Sequence, residues 1–263
     1  MGLYNKNGIK LREAFSTDAE SLTVAFKVDG TLIPFATFLQ TAILSELTSI
    51  SYSGNKQGAC SDGEYIYQIC ISPFVGIKYK ISDGTYTTVS LGSSVPYNHA
   101  NDMAYNPNNN HIYVAAMSAD GAVMELDTNW NYIATHYLIG KNDSSYSVWG
   151  LCFDQKTNHF LSENAGGIAV YDVNFNYLSW FSLPEHPSAT GQGCETDGDF
   201  IYRVTYNPNY IDVATITGEY VCTINNPMSG EPETLMYDWE NKKYYINRNA
   251  SSGLFYEIIL KTT

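Results

Sequence analysis

Charged residues are scarce in this chain, and basic residues are the scarcest. Only 16% of the 263 residues are charged, and 14 Lys and Arg stand against 27 Asp and Glu, a formal net charge of −13. A surface of that sign repels phosphate backbones and anionic lipids, so nucleic acid and membranes are not expected partners. The chain also lacks an apolar run of about 18 residues, and its first residues lack the basic-then-apolar order of a signal peptide. We therefore expect no membrane span and no signal peptide.

Cysteine and histidine are also few, and their spacing does not match metal or redox sites. Five cysteines occur without a CxxC pair, and five histidines are scattered along the chain. We expect the cysteines to be reduced, buried core residues. The nucleophile motif GxSxG and the zinc motif HExxH are missing as well. The sequence therefore predicts no metal and no cofactor.

Apolar and uncharged polar residues make up the balance. Hydrophobic residues account for 44% of the chain, which is enough for a substantial core and excludes an intrinsically disordered chain. The 22 tyrosines, together with abundant Asn, Ser and Gly, are typical of recognition surfaces, because tyrosine provides large contact area at little entropic cost.

The N-terminal segment contains a short repeat. Tyr4, Phe15 and Phe26 begin three units that are 11 residues apart, and tight-turn dipeptides such as Asn7-Gly8 and Asp29-Gly30 fall inside them. Each unit is predicted to be an extended piece, a turn and a second extended piece. Units this small cannot form a core of their own, so residues 1–42 are predicted to be a docking or attachment segment.

A longer repeat covers the rest of the chain. Equivalent positions of the second strand in each unit lie 46, 48, 41 and 43 residues apart, at Tyr67, Tyr113, Leu161, Tyr202 and Tyr245. Four short strands per unit of this length are typical of a β-propeller blade. The sequence therefore predicts an all-β fold, a five-bladed propeller over residues 43–263 with four antiparallel strands per blade. An open sandwich or a solenoid is the alternative.

The fifth unit contains three strands, so its fourth strand must come from elsewhere in the chain. Residues 43–50 precede the first blade and have the apolar character of a strand. An unpaired strand edge promotes aggregation, and ring closure removes it. We expect residues 43–50 to be the outer strand of the last blade.

Two blade openings carry a motif with known relatives. Gln57-Gly58 followed by Asp62-Gly63, and Gln192-Gly193 followed by Asp197-Gly198, resemble the openings of YncE-like surface-protein propellers and, distantly, of the plant and bacterial type of glutaminyl cyclase. The 11-residue repeat is similar to tandem Y-D-x-D-G-x-x-L stretches that begin tail and receptor-binding proteins of phages from gut bacteria. These resemblances imply a propeller fold and a phage-derived attachment segment.

The start of each inner strand marks a candidate ligand site. Inner strands line the central channel, so residues at their starts converge on one mouth. An indole, amides, carboxylates and an imidazole could bind a polar ligand such as a sugar, or could instead bond to one another around the channel. The candidate ligand-binding residues are Gln57, His99, Asn101, Asp102, Trp149, Gln192 and Glu233.

Three functions remain open. The favoured one is a non-enzymatic phage or prophage virion protein, a tail, receptor-binding or decoration component that binds a host surface glycan or protein. Residues 1–42 would attach it to other virion proteins or to sister copies in a homo-oligomer, at the virion surface and outside the cell after assembly. The alternative is a small-molecule enzyme, a cyclase, lactonase or lyase, with Asp102, His99 and Glu233 as its acid–base groups. The third is an interaction platform that binds a peptide, cytoplasmic if the chain does not come from a phage.

Overall fold

The fold is described by a computed structural model. It covers residues 54–117, 120–140, 148–164, 166–183 and 190–250, the strands at 3–4, 10–11, 39–50 and 253–262, and, within those strands, the side chains of 42–47 and 255–259. Most of the 11-residue repeat, including its second and third units, lies outside the described residues.

Within the described residues, the strands before the first blade are β1 (Leu3–Tyr4), β2 (Lys10–Leu11) and β3 (Leu39–Ile50). β1 and β2 pair antiparallel, with Leu3 opposite Leu11. This pairing agrees with the two extended pieces predicted for the first 11-residue unit, and the predicted turn between them lies outside the described residues.

The first three blades are complete four-stranded antiparallel sheets, ordered from the inner to the outer strand. Blade 1 contains β4 (Asn55–Ser61), β5 (Tyr65–Ile71), β6 (Val75–Lys80) and β7 (Tyr86–Ser90). Blade 2 contains β8 (Asp102–Asn106), β9 (His111–Ala115), β10 (Ala122–Asp127) and β11 (Tyr132–Tyr137). Blade 3 contains β12 (Gly150–Asp154), β13 (His159–Asn164), β14 (Gly167–Tyr171) and β15 (Tyr177–Ser182). A short 3-10 helix, Gly92–Ser94, lies between blades 1 and 2.

The last two blades share one continuous sheet. Blade 4 contains β16 (Thr190–Thr196), β17 (Phe200–Tyr206), β18 (Tyr210–Thr215) and β19 (Tyr220–Asn225). Blade 5 contains β20 (Glu231–Asp238), β21 (Lys243–Asn249), β22 (Gly253–Thr262) and the N-terminal β3. The five-bladed fold and its closing strand are therefore confirmed.

The closing strand is longer than predicted. β3 pairs antiparallel with β22 from Ile50 opposite Gly253 to Leu39 opposite Thr262, so it begins at residue 39 rather than 43. Thr41 also forms a parallel bridge with Asn225 at the outer edge of blade 4. The strand thus covers the outer edge of blade 5 and joins it to its neighbour.

Apolar layers fill the contacts between adjacent blades. The layer between blades 4 and 5, for example, contains Val221, Ile224, Leu235 and Ile246, and Ala42 of β3 belongs to it. Comparable layers lie between blades 1 and 2, 2 and 3, 3 and 4, and 5 and 1. The inner strands of each blade are therefore largely buried, whereas the outer strands β7, β11 and β15 are exposed or half-buried.

Turn chemistry explains why each repeat folds back where it does. Asp62 accepts hydrogen bonds from the backbone N–H groups of Glu64 and Tyr65 at 2.9 and 2.7 Å, and Gly63 has φ +91°. Asp197 and Gly198 repeat this arrangement in blade 4. A carboxylate that bonds the backbone two and three residues ahead favours a tight turn, and glycine adopts positive φ without strain.

Two aromatic turn residues pack between blades. Trp130 of blade 2 is buried against Gly76 of blade 1, where an added Cβ would lie 2.4 Å from the indole. Phe175 of blade 3 stacks on His136 of blade 2, with ring centroids 4.6 Å apart. Both rings are therefore inter-blade core residues and are not available for ligands.

All five cysteines are buried. Cys152 and Cys194 lie side by side in blades 3 and 4, with their Sγ atoms 3.8 Å apart. Burial raises the pKa of the Cys152 thiol well above its usual range. In the described part of the chain, no helix is long and apolar enough to cross a membrane.

Candidate functional site

The predicted mouth residues do converge where the inner strands begin, but most of them are bonded to one another. Gln57 Nε2 donates to Glu233 Oε1 at 3.2 Å and thereby links blade 1 to blade 5. Gln192 Nε2 donates to Glu231 Oε1 at 3.0 Å and links blade 4 to blade 5. Gln57, Gln192 and Glu233 are all buried. These polar groups therefore join neighbouring blades.

Asn101 makes a similar connection among three blades. Its Nδ2 donates to the backbone carbonyl oxygens of Trp149 at 2.6 Å and Gln192 at 2.7 Å. Asn101 is buried, whereas Trp149 is half-buried. His99 is also half-buried, in the connection before β8, and among the described residues it is not hydrogen-bonded to the Asp102 carboxyl.

Asp102 lies at the centre of the propeller and is completely buried. Its Oδ2 accepts hydrogen bonds from the backbone N–H groups of Leu151 and Cys194, both at 2.9 Å. Its Oδ1 accepts from the Met103 N–H at 3.0 Å and from the Thr234 hydroxyl in a very close contact. One carboxyl group therefore joins blades 2, 3, 4 and 5.

The space around Asp102 is filled by backbone. A Cβ added at Gly58 would lie 2.6 Å from the Asp102 Cα, and one at Gly193 would lie 2.9 Å from Asp102 Oδ2. Only glycine permits the inner strands to approach this closely. The inner strands therefore enclose this carboxyl, which is 0% exposed.

The carboxyl groups at this mouth resist ionisation because they are desolvated. Burial raises the pKa of Asp102 to about 8, against the opposing effect of its hydrogen bonds. Burial, together with the nearby carboxylates of Glu231 and Asp102, raises the pKa of Glu233. Perturbed pKa values of this kind occur in catalytic sites and in structural networks alike, so access decides the role.

Sequence reasoning missed an ion pair beside this mouth. Arg203 Nε on β17 lies 3.2 Å from Glu163 Oε1 on β13, and both side chains are almost fully buried. An added Cβ at Gly191 would lie 3.0 Å from the Arg203 Nη2, so glycine makes room for the pair. Arg203 is the single charged residue in the mainly apolar strand β17, a signal that a search of the second strands would have found.

The opposite mouth contains a recess. In each blade the innermost strand pairs with the second strand, and the next-to-last residue pair between them lies at this end of the axis. The innermost-strand residues of these pairs are Cys60, Tyr105, Phe153, Glu195 and Tyr237. These five residues and Trp239 line an opening of about 230 Å³, part of which is bulk solvent. Four of these five positions carry an aromatic ring or a thiol, and the fifth carries the carboxyl group of Glu195.

A titratable cluster lies outside both mouths, in blade 2. Glu125 Oε1 is 2.6 Å from His111 Nδ1, and Glu125 Oε2 is 2.7 Å from His136 Nε2. The Tyr113 hydroxyl donates to Glu125 Oε1 at 2.9 Å. His111 therefore begins the strand β9 and binds a carboxylate. No group of three or more His, Cys, Asp or Glu side chains within the described ranges is arranged to hold a metal ion.

Replacing Glu125 with glutamine should destabilise the protein by about 1–3 kcal/mol at pH 7, because charge-assisted hydrogen bonds are lost. Burial alone would raise the pKa of Glu125, but bonds from His136, His111 and Tyr113 outweigh burial and hold it below its ordinary value. Because the pKa of Glu125 is lower in the folded protein than in the unfolded chain, ionised Glu125 stabilises the fold at pH values above its unfolded pKa of about 4.3. That stabilisation is lost as the pH falls through the folded pKa. The difference in the free energy of unfolding between wild type and Glu125→Gln, measured by urea unfolding, should become smaller below about pH 4.

Glu257→Gln is the matched control, because Glu257 forms an exposed ion pair with Lys243 at 3.1 Å. Its effect should stay below about 1 kcal/mol. Equal effects of the two substitutions at pH 7 would contradict a special role for the Glu125 cluster.

The comparisons with known proteins agree with the fold. No protein-family model matches the chain, and no curated protein matches it. The crystal structure of glutaminyl cyclase from Myxococcus xanthus is similar, with a TM-score of 0.66 and 12% identity over 85% of this chain and 98% of that chain. This chain is a propeller.

Two further propellers are similar at greater distance. The structure of U3-55K has a TM-score of 0.50 at 10% identity and covers 81% of this chain and 98% of its own. The WD40 repeats of RRP9 have a TM-score of 0.51 at 9% identity over 84% of this chain and 99% of theirs. At such identities the likeness concerns the fold alone, since one fold supports many functions.

Proposed function

We propose that the chain is a non-enzymatic phage or prophage virion protein whose propeller binds a surface glycan. One observation carries the binding part of this proposal. Trp180 on the outer strand β15 is 48% exposed, and its ring lies over Gly167, where an added Cβ would be 2.3 Å from Cζ2. The indole is thus supported on one face and accessible to solvent. Flat, pre-oriented rings of this kind provide large contact area for a ligand at little entropic cost.

The outer strands of blades 2 and 3 carry further exposed apolar side chains. Leu178 on β15, and Tyr132, Ile133 and Tyr137 on β11 of the adjacent blade, are all at least 40% exposed. Large apolar side chains at the surface in such number are typical of interaction sites. The side of blades 2 and 3 is therefore the proposed ligand-binding surface.

Trp180→Ala is expected to lower glycan binding about tenfold, which corresponds to about 1.4 kcal/mol. The measurement is a glycan array of bacterial surface polysaccharides with the full chain, followed by titration of the best ligand. The matched control is Trp239→Ala, which removes an indole far from β15 and should leave glycan affinity unchanged. If no glycan binds, or if Trp180→Ala binds as wild type does, a glycan-binding role for this surface is wrong, and a protein ligand becomes the next probe.

The attachment role of the N-terminal repeat has its own test. Because β3 begins at Leu39, the shortened chain should start there and not at residue 43. We expect light scattering to show a defined oligomer, or binding to other virion proteins, for the full chain and a folded monomer for the chain from Leu39. Identical monomers would contradict attachment through residues 1–42.

The enzyme alternative requires accessible acid–base groups at the first mouth. Asp102 is enclosed by backbone donors, and the Glu233 carboxyl is held by Gln57, so the geometry favours structural roles for both. The double variant Asp102→Asn/Glu233→Gln, assayed for cyclisation of glutaminyl peptides beside wild type, distinguishes the two functions. Turnover by wild type that the variant loses while still folded would establish the enzyme.

A further inference from the structure

We propose that Cys152 and Cys194 form a disulfide that joins blade 3 to blade 4 when the chain folds in oxidising surroundings. In this structure both residues are thiols, and their Sγ atoms are 3.8 Å apart. The pair lies inside the propeller, on the inner strands β12 and β16, and the surface around Trp180 takes no part in it. The inference therefore does not depend on the proposed glycan binding.

The two thiols face each other because they occupy equivalent positions on adjacent inner strands. Each lies two residue pairs before the end of the pairing between the first and second strands of its blade. The Cys194 thiol donates a hydrogen bond to the Cys152 sulfur, and both side chains belong to the apolar layer between blades 3 and 4. The geometry therefore presents one thiol directly to the other.

The remaining cysteines lie in other layers of the propeller. Cys60 belongs to the layer between blades 1 and 2, Cys70 to the layer between blades 5 and 1, and Cys222 to the layer between blades 4 and 5. A disulfide requires Cα atoms within about 7 Å of each other, so neighbouring positions decide which thiols pair. The expected bond is therefore specific to Cys152 and Cys194.

The backbone beside this pair is already fixed in place. Asp102 Oδ2 accepts the N–H groups of Leu151 and Cys194, both at 2.9 Å, so one oxygen holds β12 next to β16. A Cβ added at Gly150 would lie 3.0 Å from the Cys194 Sγ, which shows how closely β12 approaches that thiol. We expect rotation of the two side chains to bring the sulfurs to the disulfide length of about 2.05 Å.

The chemistry needs an oxidant, and a small disulfide such as oxidised glutathione supplies it. One cysteine thiolate attacks the glutathione disulfide, forms a mixed disulfide and releases one glutathione thiolate. The second cysteine thiolate attacks the mixed disulfide at the protein sulfur and releases the second glutathione. The two cysteines lose two electrons, which reduce one glutathione disulfide to two thiols, and the two cysteine protons pass to the released thiolates.

The bond must form before the inner strands come together. The thiolate is the reactive species, and burial raises the pKa of the Cys152 thiol well above its usual range in the folded protein. Both side chains are also almost completely buried, at 1% exposure. During folding the same thiols are accessible to glutathione, so oxidation accompanies folding.

A disulfide at this place would strengthen a contact that has no shared sheet. Blade 3 is a separate four-stranded sheet, whereas blade 4 belongs to the sheet that it shares with blade 5. The two cysteines are 42 residues apart in the chain. A cross-link over a loop of that length restricts the unfolded chain and thereby stabilises the folded one.

The test refolds the full chain from urea in two buffers, one with dithiothreitol and one with reduced and oxidised glutathione. Each sample is then denatured and treated with N-ethylmaleimide, and its mass gives the number of modified cysteines. We expect all five cysteines to react in the dithiothreitol sample and only three in the glutathione sample. Peptide mapping should find the peptides of Cys152 and Cys194 joined. Calorimetry should show a Tm at least about 5 °C higher for the cross-linked chain.

Single variants provide the controls. Cys152→Ala and Cys194→Ala should each keep four reactive cysteines in both buffers. Cys60→Ala is the matched control, because it removes a thiol from another layer and should still lose two thiols to the cross-link. If the chain does not refold from urea, cell-free synthesis in the same two buffers replaces refolding.

Three results would overturn the proposal. The first is five reactive cysteines in the glutathione sample. The second is a cross-link or a glutathione adduct at other cysteines in place of the Cys152–Cys194 bond. The third is a cross-linked chain that melts at or below the Tm of the reduced chain, because such a bond would strain the contact between blades 3 and 4.

Discussion

Asp102→Asn should lower the free energy of unfolding by about 3 kcal/mol or more. The carboxyl accepts N–H groups of Leu151 and Cys194 on one oxygen, and Met103 N–H and the Thr234 hydroxyl on the other. At neutral pH, below its pKa of about 8, the carboxyl carries one proton that it shares with the Thr234 hydroxyl, and both of its oxygens still accept backbone N–H groups. An asparagine NH2 group carries two hydrogens and accepts none, so it faces a backbone N–H group without an acceptor whichever way it is turned. A buried donor without an acceptor costs about 1–3 kcal/mol, and the variant leaves more than one in this position.

Urea unfolding monitored by tryptophan fluorescence measures this effect. Asp172→Asn is the control, because the Asp172 carboxyl also accepts two backbone N–H groups, at 2.9 and 2.8 Å, but at an exposed turn. There, water replaces the lost acceptor, so the cost should be below about 1 kcal/mol. Similar losses in the two variants would show that Asp102 does not join the blades.

The Asp102→Asn effect should also depend on pH. The folded pKa of about 8 lies above the ordinary value of 3.8, so ionisation is less favourable in the folded protein. A carboxyl whose pKa is raised by folding stabilises the protein fully at pH values below its unfolded pKa. This stabilisation is lost as the pH rises through its folded pKa. The gap between wild type and Asp102→Asn should therefore be larger at pH 5 than at pH 9. A gap that does not change with pH would place the Asp102 pKa outside this interval.

The architecture was predictable because its signals are local. The turn pair Asp-Gly occurs at the same place in two of the five repeats, at Asp62-Gly63 and Asp197-Gly198, and an asparagine lies in the equivalent turn of the other three. The repeat length is itself typical of a blade. The strand that closes the ring was predictable from a missing partner for β22. The start of this strand at Leu39 was not predictable, because the additional pairing of residues 39–42 depends on the partner strand β22 and not on the character of those residues.

The candidate site was only partly predictable. Repeat position does bring Gln57, Gln192 and Glu233 to one mouth, as the sequence suggested. Whether such groups face solvent depends on partners far away in the chain, and Gln57 and Glu233 are 176 residues apart. Glu195 went unnoticed because its place at the opposite mouth becomes visible only when the next-to-last residue pairs of the five innermost strands are compared.

Removing residues 1–50 should abolish cooperative folding, whereas removing residues 1–38 should not. β3 pairs along the whole of β22, and Ala42 and Leu44 belong to the apolar layer between blades 4 and 5. Without β3, the apolar edge of β22 and that layer become exposed, and unpaired edges of this kind promote aggregation. A ring that loses its closing strand also loses the connection from Thr41 to blade 4.

Differential scanning calorimetry and light scattering on both shortened chains provide the measurement. The chain from Leu39 keeps every pairing of β3, so its Tm should remain within about 4 °C of the full chain, equivalent to about 1 kcal/mol. The chain from residue 51 should aggregate or melt without a cooperative transition. Adding back a synthetic peptide of residues 39–50 should restore the transition if pairing with β22 is the cause. A stable, monomeric chain from residue 51 would instead show that inter-blade packing closes the ring without the twelve-residue strand.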